Sequence, residues 1–348
     1  MFPVTMSHVC RAWRELALRT PALWRRITLG PREHMWRERI RRAKSCSLDI
    51  QLLSWISTKS GTPLPRYLDV HMVQWYMHLV TPHINRWRSL EISFTTYSPF
   101  LWNAALSDCC GTGRRVFAPL VRDLSLIYPL NDDTKSFTLF AGFAPQLRRL
   151  TLDGLRLTWL PSLFQNLTFL DYRHHRFSSG YQAVREVLAM LQISSRLVHL
   201  QVLFPWRGDG ACALLEPRHR CTPVTLPVLT YLHIRVNGKD IPFEMIHLMT
   251  HISAPALSSL HLLDLAHSQS PFPHLHTFLK AYSPPLSLKT LRVEHGWYNS
   301  HLISSFSTLP HLQQFIVKRP QRHDQSANSK PNNCERKDMT HSRFQSRR

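Results

Sequence analysis

Glycine is scarce in this chain, 11 residues in 348. So few positions free to take positive φ argue against a barrel or sandwich built on tight glycine turns. Acidic residues are also few: 22 Asp+Glu stand against 43 Lys+Arg, a formal net charge of +21. No CxxC pair occurs, and the seven cysteines are an odd number with only Cys109 and Cys110 adjacent. A secreted disulfide framework is therefore not expected, and a reducing intracellular compartment fits better. No charged-then-apolar leader opens the sequence, and no long unbroken apolar run appears. The expectation is a soluble protein of the cytoplasm or nucleus. The phosphate cradles GxGxxG and GxxxxGK[ST], the zinc-protease pattern HExxH and the nucleophile elbow GxSxG are all missing. Neither enzymatic activity nor a cofactor is expected.

What is present is a repeated skeleton, apolar-x-x-Leu-x-apolar, clearest in PQLRRLTL, where Leu147, Leu150 and Leu152 carry it. Leu150 and Leu152 lie two apart, so in a strand both face one side. The skeleton recurs at Trp87-Leu90-Ile92, Leu120-Leu124-Leu126, Leu167-Leu170-Tyr172 and Leu197-Leu200-Val202. It continues at Leu229-Leu232-Ile234, Leu257-Leu260-Leu262, Leu288-Leu291-Val293 and Leu312-Phe315-Val317. The unit at Leu120 carries one extra residue before Leu124. The central positions run from Leu90 to Phe315 in uneven steps. Proline, plentiful at 24, stands two before the first leucine at Pro145, Pro227, Pro255 and Pro310, and one before it at Pro119. There it fixes the opening turn of a strand. Helical spacing of apolar residues lies between units, in 72–80, 181–192, 243–252, 274–282 and 301–306. One such unit cannot bury its apolar side, whereas stacked copies can. The fold class expected is therefore α/β, a leucine-rich-repeat-like solenoid of parallel strands with outer helices over residues 31–317. The Asn/Cys position of the strict repeat is mostly absent: Leu155 and Gly296 stand there after Leu152 and Val293.

Residues 1–30 differ. Val9, Trp13, Leu16 and Ala17 follow Ser7 on one helical face. Thr20-Pro21 ends that helix and starts another, along which Leu23, Trp24 and Ile27 continue the apolar side. Each large apolar residue here has an ordinary reading as core of an amino-terminal cap. As a set, SHVCRAWRELALRTPALWRRI resembles the carboxy-terminal half of an F-box, specifically the F-box-like proteins numerous in mushroom-forming fungi. The matching positions are His8, Val9, Cys10, Arg11, Trp13, Arg14, Leu16, Ala17, Pro21, Leu23, Trp24 and Ile27. The Leu-Pro-containing first helix of such a motif has no counterpart after Met1-Phe2, and a truncated or lost first helix is the expectation. The resemblance implies a substrate-recognition adaptor of a Skp–cullin–F-box ubiquitin ligase. It makes Val9, Cys10, Trp13, Leu16 and Trp24 the residues facing a Skp-family adaptor, with the repeats holding a target protein. A repeat scaffold without adaptor binding and a basic nucleic-acid-binding protein are the alternatives.

The charge falls in two places. From Arg11 to Lys44 there are eleven Lys/Arg and three Glu, and from Lys318 onward nine Lys/Arg and three acids. The first stretch includes a helix over 32–44 with a narrow stripe of Met35, Trp36 and Ile40, read as a solvated face. The second, 318–348, is polar and read as a disordered basic tail. No membrane partner is expected. Among the 21 histidines, His247 and His251 lie four apart on an expected helix, a spacing zinc sites use. No Cys or carboxylate accompanies them at a set spacing, so no metal site is expected.

Overall fold

The computed structural model describes residues 4–5, 8–57, 63–65, 68–111, 116–206, 221–299 and 309–318. The helix expected over 301–306 and the tail beyond Lys318 lie outside the described residues. The chain divides into two compact units, Met1–Phe177 and Ser178–Arg348. Both are α/β, built on parallel strands joined by crossovers.

In the amino-terminal unit the strands are β1 (Arg26–Thr28), β2 (Leu48–Leu53), β3 (Trp87–Ser93), β4 (Asp123–Ile127), β5 (Arg149–Asp153) and β6 (Phe169–Arg173). They pair in chain order, every pair parallel. The register puts like on like: Ile27, Ile50, Leu90, Leu124, Leu150 and Leu170 form one row across the strands, and Leu52, Ile92, Leu126, Leu152 and Tyr172 a second. All of these are buried. Parallel strands need long return paths. Helix α1 (Arg11–Arg19) precedes β1, and in those return paths lie helices α2 (Glu33–Arg42), α3 (Val70–Val80), α4 (Leu101–Leu106) and α5 (Pro161–Phe164). Asp69 caps α3, its side chain accepting from the amide of Met72 at 2.8 Å.

The carboxy-terminal unit repeats the plan. Its strands are β7 (His199–Pro205), β8 (Tyr231–Asn237), β9 (Ser259–Asp264), β10 (Thr290–Glu294) and β11 (Gln314–Lys318), again parallel and paired in order. Leu200, Leu232, Leu260, Leu291 and Phe315 stand in one row, Val202, Ile234, Leu262, Val293 and Val317 in the next. Helices α6 (Gly180–Ile193), α7 (Phe243–Thr250) and α8 (Leu275–Ala281) form the other layer. Each closely matches a stretch of helical spacing in the sequence.

One turn opens these strands. The amide of the first skeleton residue donates to a carbonyl three residues back, from Leu147 to Ala144, Leu229 to Leu226, Leu257 to Ala254 and Leu312 to Leu309. Pro145, Pro227, Pro255 and Pro310 sit second in those turns, where a fixed φ favours them. The turn also corrects the expectation for Leu120. The amide of Val121 donates to Ala118, with Pro119 second in the turn. Val121 is fully buried, while Leu120 is 38% exposed. The skeleton is therefore Val121-Leu124-Leu126, without an extra residue. A second correction concerns Ile27. The helix begun at Pro21 is a single 3-10 turn ending at Trp24, and Ile27 is the centre of β1, opposite Ile50. Pairing with β2 and the β-branched character of Ile27 and Thr28 override the helical spacing.

Candidate functional site

The sequence-derived residues at the amino terminus separate into exposed and buried. Cys10 is the residue before α1, extended and exposed. Val9 is 62%, Trp13 44% and Leu16 58% exposed, and Leu18 adds 41% on the same helix. Ala17 is the buried residue of α1. Trp24 is 2% exposed. Its indole N–H donates to the carbonyl of Ala17 at 2.7 Å, and the Arg42 guanidinium stands 4.5 Å from its ring centroid. Trp24 thus anchors α1 against α2 and is almost wholly covered. Beside it, Val4, Leu18, Trp24 and Met35 form the apolar part of a cleft of about 360 Å³. The rest of its lining is polar: Arg14, Arg39, Arg42, His8, His34 and Glu38. Hydrogen bonds from Arg41 and then Arg42 hold Glu38 down to about 2, so it stays ionised. The result is an apolar helix surface on a cationic base.

The strand residues that point away from the leucine rows form a second kind of surface, polar in both units. In the amino-terminal unit Asp49 accepts two bonds from Arg88, at 2.8 and 2.9 Å, and one from Ser89 at 3.0 Å, and pairs with Arg25 at 3.2 Å. Further along the same face, Arg149 lies 4.0 Å over Phe169, and Arg173 pairs with Asp153 at 3.1 Å. In the carboxy-terminal unit the face is aromatic and imidazole-rich. His199 stacks on Tyr231 and His233 on His261, with ring centroids 4.1 and 4.2 Å apart. Arg292 donates to Glu294 at 2.7 Å, and Lys318 approaches that carboxylate at 3.7 Å. Burial alone would push Glu294 up; the bond and charge of Arg292, then Lys318 and His261, outweigh it and leave the carboxyl below its ordinary range. Burial, reinforced by the neighbouring His261, Arg235 and His199, holds His233 down to about 3, so this ring stays neutral.

The adjacent cysteines are not activated nucleophiles. Burial pushes the Cys109 thiol up, and lifts Cys110 to about 11, the reverse of an activated thiol. One group of described residues does bring metal-ligating atoms together: Cys221, His247 and His251. The histidine pair is visible in the sequence; the cysteine is not, because it belongs to a separate segment well before α7. Among the described residues no helix is long and apolar enough to cross a membrane. Comparison of the sequence with protein-family models and with curated proteins finds no match.

Proposed function

We propose that this chain is an F-box-like substrate-recognition adaptor of a Skp–cullin–F-box ubiquitin ligase. In this reading the parallel strands are an irregular leucine-rich-repeat solenoid whose polar strand face holds a target protein. The observation that carries the reading is the exposure of Val9, Trp13 and Leu16 on the segment whose sequence resembles half an F-box. Val9 lies in the turn ahead of α1 rather than on the helical face expected for it. Trp13 and Leu16 on α1, beside a tryptophan that fixes the helix, and Val9 next to them are large apolar side chains of the kind a partner helix would cover. Trp24 then supports the surface rather than touching the adaptor. Catalysis belongs to the ligase, and this chain supplies proximity between target and ubiquitin donor. The polar ladders on the strand faces suit a hydrophilic protein surface: paired Arg, Asp and Glu groups discriminate by charge pattern.

Co-purification tests the reading. The full-length chain expressed in fungal cells brings down a Skp-family adaptor, and Leu16→Asp abolishes this while Arg11→Ala does not. Absence of the adaptor with the native sequence refutes it. The net charge of +21 favours one other reading, a nucleic-acid-binding protein. Counterion release would then make RNA or DNA affinity fall steeply with salt, so binding that is absent at low salt removes that reading.

A further inference from the structure

A short parallel pair, Val224–Thr225 with Ile252–Ser253, ties the backbone near Cys221 to the end of α7. The amide of Val224 donates to the carbonyl of His251 at 2.7 Å, and that of Leu226 to Ser253 at 2.8 Å. Cys221 stands just before this pair on one side, and His247 and His251 lie one helical turn apart just ahead of it on the other. Consequently Sγ of Cys221 and a ring nitrogen of each histidine come within 4.8 Å of one another, all three residues half-buried.

We propose that Cys221, His247 and His251 form a zinc-binding site with one coordination position left for water. One thiolate and two imidazoles are a donor set zinc favours. Tetrahedral zinc, with its bonds of about 2.0–2.3 Å, needs these donors roughly 3.3–3.6 Å apart. Side-chain rotation of about an ångström closes the difference, well within what half-buried side chains allow. The histidines are already oriented. His247 stacks against Phe243, 5.6 Å between centroids, and meets Tyr181 edge-on at 4.7 Å. Nδ1 of His251 lies 3.0 Å from the carbonyl of His247 and 2.7 Å from Oγ1 of Thr250. With its proton on Nδ1 the ring donates to that carbonyl and keeps the Nε2 lone pair for a metal, the backbone-anchored arrangement common to ligating histidines. The carbonyl end of α7, with its partial negative charge, favours a cation at this place. On binding, the Cys221 thiol loses its proton to solvent, and the bound metal fastens the segment before Val224 to the helix.

Cobalt(II) reports the site directly. The metal-stripped full-length chain, titrated with cobalt chloride, is expected to develop the visible bands of tetrahedral cobalt and a sulfur-to-cobalt charge-transfer band, saturating at one equivalent. Zinc chloride then bleaches both. Cys221→Ser loses the charge-transfer band, and His251→Gln loses stoichiometric binding, while far-UV circular dichroism of both metal-free variants matches the native chain. If Cys221→Ser fails to fold, His247→Gln carries the same test. A native chain without the cobalt spectrum overturns the proposal. So does a spectrum that Cys221→Ser and His251→Gln leave unchanged, since it would come from other thiols and imidazoles.

Discussion

The indole of Trp24 donates to the main-chain carbonyl of Ala17 at 2.7 Å, and this bond sets the first helix against the start of the strands. It also separates two tryptophans that the sequence treats alike. Trp24 is buried, whereas Trp13, on the preceding helix, is exposed. Trp24→Ala is predicted to cost about 3–5 kcal/mol, the range for a core aromatic. Trp13→Ala should cost less than about 1 kcal/mol, as for surface changes. Urea titration of both variants measures the difference. Equal losses would show that Trp13 is covered by other parts of the chain.

Asp49 is the hub of a charged cluster on the strand face, bound by Arg88 and Ser89 and paired with Arg25. Its removal leaves two guanidinium groups without their carboxylate, a loss we place at about 2 kcal/mol. Arg88→Ala should cost less, because Asp49 keeps Arg25 and Ser89. A double-mutant cycle between positions 49 and 88 is expected to give a coupling of about 1 kcal/mol. A coupling near zero would mean the bidentate pair is replaced by water without loss.

Gly154, just past β5, has φ of +75°, and a Cβ there would lie 2.0 Å from the carbonyl oxygen of Tyr128. The clash is with backbone that is held by the bond from Tyr128 N to Asp153 O at 2.9 Å. Gly154→Ala is predicted to destabilise by at least about 2 kcal/mol, through left-handed strain and displacement of the neighbouring strand end. Thermal unfolding reads it; an unchanged midpoint would contradict the turn.

Acid should weaken the carboxy-terminal unit. His233 is held at about 3 against an ordinary 6.5, so below pH 6.5 the unfolded chain takes up a proton that the folded one refuses. Stability therefore falls as pH drops from 6.5 towards 3, by about 2 kcal/mol at pH 5 from this group. The depressed Glu294 acts in the same direction, its contribution being lost as pH falls through its folded value. Tyr231, His261, His199, Arg235 and Arg292 surround the ring and supply no carboxylate to it directly. Denaturant titrations at pH 7.5 and 5 should show this slope, and His233→Phe should flatten it. An unaltered slope would move the acid sensitivity elsewhere.

The leucine rows are legible in the sequence because a strand has period two and each unit repeats the same three positions behind the same turn. Where a local choice is ambiguous, the sequence misleads: Leu120 and Val121 are both apolar, and only the turn from Ala118 selects Val121. Ile27 looks helical because its partner Ile50 lies on the far side of α2. The strand-face ladders are illegible for a similar reason. Asp49 meets Arg88, and His233 meets His261, only through the register of neighbouring strands. The residues that the F-box resemblance singles out emerge as a set, but spacing does not tell that Trp24 turns inward while Val9, Trp13 and Leu16 are exposed. Cys221 reaches the histidines through a two-residue strand, too short to leave a periodic signal.

The most direct test of the functional account is an equilibrium titration of the purified full-length chain with a purified Skp-family adaptor, followed by calorimetry. The account predicts a saturable one-to-one complex that Leu16→Asp and Trp13→Ala both weaken at least about tenfold, a loss of about 1.4 kcal/mol or more. No heat of binding from a folded native chain, or a complex that ignores both substitutions, would contradict it.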